Sequence, residues 1–257
     1  MRLMRKRFLK AAAIILWLLV WQILSVIIGK DLLLPSPYIT FATLIRLLSQ
    51  SAFYNQVLYS LLRIVAGFLT AVVSAFLLGV IAGLNKNVEI LLSPFITVIR
   101  STPVMSFIIL AIIWFSYNLA PLAVNIIMCF PPIYDNVVKG IRSTDNKLLD
   151  MAKVYQVRPV KVFTGIYLAS VKPFLMAGMN TALGLAFRVA VAAEVLANPQ
   201  YGIGTKLLQA KYNLDTAEVF AWTFVILLLS FLFEQLFKKI TEGGRKNAPA
   251  EKSDKII

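Results

Sequence analysis

Residues Ser60–Leu84 read SLLRIVAGFLTAVVSAFLLGVIAGL, and Arg63 is the only charge among them. An apolar run of about 20 residues is long enough to cross the hydrocarbon core of a bilayer as a helix. Within it Gly67, Ala71, Ala75, Gly79 and Gly83 recur every four residues. Such a stripe of small side chains lets a second helix approach closely in lipid, where packing drives association. The run therefore predicts a membrane span, from about Val57 to Leu84, with a neighbour pressed against one face. The same spacing recurs at Gly178, Ala182, Ala186 and Ala190. Tight packing inside one subunit is the expected use of both stripes; a subunit interface or a moving surface is the alternative.

The composition extends this reading to the whole chain. Of 257 residues, 59% are hydrophobic and 15% charged, against roughly half and a quarter in soluble domains. Five further spans are expected: about Ala11–Ile28, Thr102–Leu119, Pro121–Lys139, Val171–Leu196 and Ala217–Phe237. The fourth, Pro121–Lys139, contains Pro131-Pro132, which a membrane helix tolerates when neighbours or water satisfy the freed carbonyls. The first is too long for a signal peptide and no cleavage site follows it. The fold class is thus an all-α polytopic membrane protein of about six transmembrane helices. Its expected parts are a basic N-terminus (1–10), a permease domain (11–239) with a cytoplasmic segment at about 141–169, and a polar, disordered tail (240–257).

The net charge of +14 does not imply nucleic-acid binding, because Lys and Arg concentrate at helix ends and in short loops. With the N-terminus inside, the inner segments hold most of them and the outer segments only Lys30, Arg46, Lys206 and Lys211. By the positive-inside rule both termini are expected in the cytoplasm. The chain has one cysteine, Cys129, and no histidine. No metal site is expected, and general acid–base catalysis has few candidates. Trp17, Trp21, Trp114 and Trp222 read as anchors at the membrane interfaces.

Leu148–Ala169, LLDMAKVYQVRPVKVFTGIYLA, is too polar to span and lies between two apolar runs. Asp145 is placed to cap a helix from Asn146, and Pro159 to stop it and open another. Leu148, Ala152 and Tyr155 share its apolar face. Such a segment rests on lipid or docks into another protein's groove. It resembles the cytoplasmic signature of binding-protein-dependent ABC importer permeases: Glu-Ala-Ala, three residues, Gly, nine residues, Ile, any residue, Leu-Pro. The matching positions are Asp150, Met151, Ala152, Gln156, Ile166, Leu168 and Ala169. Gln156 stands where the family has Gly, and a left-handed conformation there would cost it about 1 kcal/mol. Ala169 replaces the family's proline. LLLPSP at Leu32–Pro37, the run Ser60–Leu84, IRSTPVMSFIILAIIWF at Ile99–Phe115, AAEVLANPQYGIG and LDTAEVFAWTFVILLLSFLFEQLF are similar to blocks of the nitrate, sulfonate, taurine and bicarbonate permease group.

The resemblance implies a multi-pass permease of the bacterial cytoplasmic (inner) membrane, built like the type I importers. Two copies of an ABC ATP-binding subunit would be its motor, and an extracytoplasmic solute-binding protein would deliver a small anionic solute. A second copy of this chain would complete the pore as a homodimer, with a paralogous second permease as the alternative. ATP and Mg2+ would belong to the partner subunit: the chain itself carries no Gly-Lys-Ser/Thr phosphate loop, no cofactor and no catalytic residue. The coupling helix would comprise Leu148, Asp150, Met151, Ala152, Lys153, Tyr155, Gln156 and Arg158. Leu148, Ala152 and Tyr155 would be its buried face, with Lys153 and Arg158 at the rim.

Ionisable groups at membrane depth are costly unless paired or wetted, so Arg63, Arg100, Arg188 and Glu194 are the pathway candidates. Arg188 sits deepest and either draws an anionic substrate or makes an interhelical bond. Glu194 is expected to face protein. Arg63 is expected to snorkel to the nearer surface. Arg100, Ser101, Thr102 and Pro103 are expected to open the third span and cap it. The alternatives are an ion-coupled secondary transporter, which usually shows repeats and midplane carboxylates, and a membrane-embedded enzyme.

Overall fold

The computed structural model describes residues 2–246, and every regular element among them is helical. In chain order these are α1 (Arg2–Ile28), α2 (Pro37–Leu48), α3 (Ser51–Leu84), α4 (Lys86–Ser101), α5 (Val104–Trp114) and α6 (Ala120–Arg142). There follow α7 (Asn146–Val154), α8 (Pro159–Val162), a π-helical turn (Phe163–Tyr167), α9 (Leu168–Ala197), α10 (Ile203–Tyr212) and α11 (Thr216–Lys246).

Helix α6 is the hub, with α3 packed along one side and α9 along the other. Both small-residue stripes face it. A Cβ at Gly79 would stand 2.9 Å from Val137, and one at Gly83 would stand 2.6 Å from Ile141. On the other side, Gly178 lies against Pro132, Ile133 and Asn136. Ala71, Ala75, Ala82, Ala182, Ala186 and Ala190 have no exposed surface. The stripes thus serve packing within one subunit. Asn125 adds a polar tie, donating from Nδ2 to the Ile64 carbonyl at 3.1 Å. Despite Pro131 and Pro132, α6 is unbroken from Ala120 to Arg142.

Among the described residues, four helices are long and apolar enough to cross a bilayer: α3, α6, the rod Pro159–Ala197, and α11. The expected third span, Thr102–Leu119, is not one continuous helix. It is the second half of a bent pair, α4 and α5, which meet at 104° and count together as a fifth span. Pro103 explains the break, because Thr102 before it avoids the helical region and sits at ψ 132°. The apolar part of α1, Ala12–Ile28, is about 25 Å long against a core of about 30 Å. Helices α2 and α10 occupy segments read as outer loops.

One Trp expectation is corrected. Trp222 is a core residue, 1% exposed, stacked on Phe53 at 5.0 Å. Trp21 ties α1 down by donating from Nε1 to the Pro35 carbonyl at 3.0 Å and stacking on Phe220 and Phe224. Helix α11 continues to Lys246, inside the segment 240–257 read as a disordered tail; residues 247–257 lie outside the described residues.

Candidate functional site

Helix α7 forms where the sequence places it. Asp145 accepts from the Lys147 N–H at 2.9 Å, and Pro159 opens α8. The end of α7 is closed by a pair of bonds, Val157 N–H to the Ala152 carbonyl at 2.9 Å and Gln156 N–H to the Lys153 carbonyl at 3.0 Å. This closure needs a left-handed residue, and Gln156 supplies it at φ 51°. Leu214 closes α10 in the same way at φ 56°. Gln156→Gly is therefore expected to raise stability by about 1 kcal/mol, read as a higher unfolding midpoint of the purified chain. A lower midpoint would mean that the Gln156 side chain contributes contacts outweighing the strain. At Ala169 there is no turn. The rod runs on from α8 into α9, since alanine keeps its N–H and favours helix.

The apolar face of α7 differs from the expected one. Ala152 is 8% exposed and turned into the chain, whereas Leu148, Met151, Val154 and Tyr155 are 47, 55, 78 and 75% exposed. Beneath the helix lies a recess of about 850 Å³, walled by Leu84, Leu149, Ala152, Val157, Phe163 and Tyr167 among others. Lys153 pairs with Asp150 on the surface at 3.0 Å, and Arg158 is exposed.

At the opposite end of the bundle, Arg63 and Glu194 meet. The Glu194 carboxylate is fully buried. It accepts from Arg63 Nη1 at 3.0 Å, from the Ser60 hydroxyl at 2.7 Å and from the Gly204 N–H at 3.0 Å. Arg63 also donates to the carbonyls of Asn118 at 3.1 Å and Tyr201 at 2.7 Å. The snorkelling expected of Arg63 is thus overturned: its partner is a buried carboxylate from a distant part of the chain. Glu194 faces protein, as expected. The node also caps α10 from outside. Its first N–H groups, which have no partner within the helix, go to side chains of α3 and α9: Gly202 to Gln56 Oε1 at 2.7 Å, Ile203 to Ser60 Oγ at 2.8 Å, Gly204 to Glu194. Gln56, Ser60 and Arg63 stand at helical spacing on one face of α3, the signal that points to this network in the sequence.

Along the middle of the bundle, α9 presents Ala177, Thr181, Leu185 and Arg188 on one stripe. Arg188 and Thr181 are exposed on it. Glu234 of α11 is half-buried nearby: its Oε1 lies 3.2 Å, and an Arg188 guanidinium nitrogen 3.8 Å, from where a Gly184 Cβ would stand. Arg100 pairs with Asp135 of α6. The segment Arg100–Thr102 closes α4 rather than opening the third span, with the Thr102 N–H and hydroxyl both on the Val98 carbonyl. Asp135 and Glu234 lie within helices and were missed, because their runs are apolar enough to hide one carboxylate each. The structure thus sorts the four charged candidates into an enclosed pair, Arg63 and Glu194, and two on the open face, Arg100 and Arg188.

Residues 75–242 match the family described as binding-protein-dependent transport system inner membrane component. Over 209 residues the chain is 30% identical to a nitrate import permease protein of Synechococcus elongatus, covering 77% of this chain and 74% of that one. It is 27% identical to a formylaminopyrimidine transport permease protein of Halalkalibacterium halodurans, covering 87% and 89%. It is 25% identical to a taurine transport system permease protein of Escherichia coli, covering 83% and 80%.

Proposed function

Because the chain belongs to the binding-protein-dependent transport system inner membrane component family, as a multi-pass ABC permease of the sulfonate, nitrate and taurine group, we propose that it is the spanning subunit of an ATP-driven importer. It takes a small solute with an anionic head group from an extracytoplasmic binding protein and releases it to the cytoplasm. The names of the nitrate and taurine relatives support that substrate class. Two copies of a separate ATP-binding subunit supply the work, and ATP and Mg2+ bind there. Two copies of this chain face each other, because Arg188, Arg100 and Thr181 form an open polar face along the bundle that lipid would cover only at high cost.

The observation that carries the coupling role is the placement of α7. It links the hub α6 to the rod that carries α9, held on one side by Ala152 and bare on the other at Met151, Val154 and Tyr155. A push on the bare face reaches both central helices through short connections. Rigid-body rocking of the two permease copies then switches access between the two sides.

The test is to charge the bare face. Val154→Asp combined with Tyr155→Asp is expected to weaken association with the ATP-binding subunit by about 30-fold or more, the cost of losing a buried anchor. Uptake is lost while the permease itself remains folded. Ala152→Asp is expected to disturb the permease first, since that side chain packs inward. Undiminished co-purification of the doubly charged variant would remove α7 from the contact.

A further inference from the structure

The recess beneath α7 lies at the level where the bundle leaves the bilayer. Leu84, one of its walls, ends the apolar run of α3, and Asn85 and Lys86 follow at once. Tyr167 lines it from the rod, a residue type that favours the membrane–water boundary. Its volume of about 850 Å³ falls within the range of small-molecule sites. Most of the walls are apolar, from Leu84, Leu149, Val157, Val162, Phe163 and Tyr167. Leu84 and Val157 remain 51% and 38% exposed, so hydrocarbon surface is open to an occupant.

The rim is cationic. Asp150 and Lys153 both line the recess and neutralise each other at 3.0 Å. Arg158 is set between the wall residues Val157 and Pro159, Lys147 is next to the wall residue Asn146, and Lys86 stands two residues beyond Leu84. These three are exposed, and none has an ion-pair partner among the described residues. The neighbouring carboxylates are engaged, Asp145 in the α7 cap and Glu89 with Arg142. Apolar walls under unpaired cations, at the edge of the bilayer, complement an anionic head group joined to a hydrocarbon chain. The bare face of α7 takes no part. At about 100° per residue, Met151, Val154 and Tyr155 point away from the side that carries Asn146, Leu149 and Lys153. A motor subunit seated on the bare face therefore leaves the recess to another occupant.

We propose that the recess holds one anionic phospholipid from the leaflet at that end of the bundle. An acyl chain lies against Leu84, Val157, Phe163 and Tyr167, and the phosphate stands among Lys86, Lys147 and Arg158. Basic side chains at a membrane surface attract anionic lipid in this way. The lipid fills the space between α7 and the rod, so a push on the bare face moves the rod instead of closing the recess. The permease reading enters only through the leaflet, which it makes the cytoplasmic one.

The experiment uses the full-length chain purified in a neutral detergent, with no motor subunit, so its failure would leave the permease reading standing. The probes are dioleoylphosphatidylglycerol, dioleoylphosphatidylcholine and glycerol 3-phosphate, each read by native mass spectrometry and by the shift in unfolding midpoint. Phosphatidylglycerol is expected to stay bound one to one, and glycerol 3-phosphate, which has no chain to bury, is expected not to bind. Lys147→Gln combined with Arg158→Gln should weaken phosphatidylglycerol about tenfold or more and leave phosphatidylcholine unchanged. Both positions are exposed, so the double variant folds. Val157→Trp should fill the recess and expel the lipid, whereas Val160→Trp, on the same stretch but outside the walls, should not. Equal retention of the two phospholipids by the native chain, undiminished binding in the double variant, or equal behaviour of the two Trp variants overturns the proposal. So does binding of glycerol 3-phosphate as tight as that of the lipid, or loss of the lipid when an ATP-binding subunit associates, which would give the recess to that protein.

Discussion

Glu194→Gln is expected to destabilise the chain by about 3–5 kcal/mol, the usual cost of breaking a buried ion pair from one side. The carboxylate has no exposed surface and holds three donors from two other helices: Arg63 and the Ser60 hydroxyl of α3, and the Gly204 N–H of α10. An amide of the same shape brings its own N–H groups against those donors and leaves the Arg63 cation opposite no charge. Unfolding of the purified chain by heat or detergent titration measures the loss. The pairing predicts a particular pattern across variants. Arg63→Met alone should also cost several kcal/mol, but the double variant should cost clearly less than the two added together, because each single change strands the other charge. Amide exchange should rise most over residues 202–212, where the Gly204 N–H loses its carboxylate cap. A loss within about 0.5 kcal/mol for Glu194→Gln, the range of an ordinary surface change, would show that the node is incidental.

Gly204→Ala is expected to be as damaging, through shape alone. Its Cβ would stand 2.5 Å from Glu194 Cβ, 2.6 Å from the Val191 carbonyl oxygen and 2.7 Å from the Val195 nitrogen. Two of these are backbone atoms of α9 and cannot turn aside. Relief would require α10 to withdraw from α9, which breaks the Gly204 bond to Glu194 as well. The expected loss is about 3 kcal/mol, the upper part of the range for overpacking, with a matching fall in folded protein recovered from membranes. Gly165→Ala is the matched control, because nothing lies within 4 Å of a Cβ there; it should be neutral or slightly stabilising. Equal behaviour of the two variants would mean that α10 is not seated against α9 as described.

The two predictions concern residues of which sequence reading saw only half. Glu194 continues the small-residue stripe of α9 by four positions, and that periodicity correctly turned it inward. Its partner was not legible, since Arg63 lies 131 positions away and nothing local distinguishes a snorkelling arginine from a paired one. Asp135 and Glu234 were hidden for a related reason: one carboxylate in an apolar run barely lowers its hydropathy. The broken third span was partly legible. Pro103 marks the break, but a proline inside a membrane segment reads equally as a kink, and only the packing of α4 against α6 makes it a 104° corner. On α7, helical periodicity placed Ala152, Leu148 and Tyr155 on one side, yet periodicity names a shared face without saying what covers each residue.

What the sequence determined by itself were the local and compositional features: apolar runs at bilayer length, small residues at four-residue spacing, and Asp145 and Pro159 as helix boundaries. These depend on short-range sterics, backbone hydrogen bonding and the solvent, all of which act on neighbours in the chain. The tertiary structure alone decided which charges meet, which face of α7 is bare, and where the recess beneath it lies. Those depend on atoms brought within a few ångströms from distant segments, and a charge at membrane depth has no role of its own until its partner is in place.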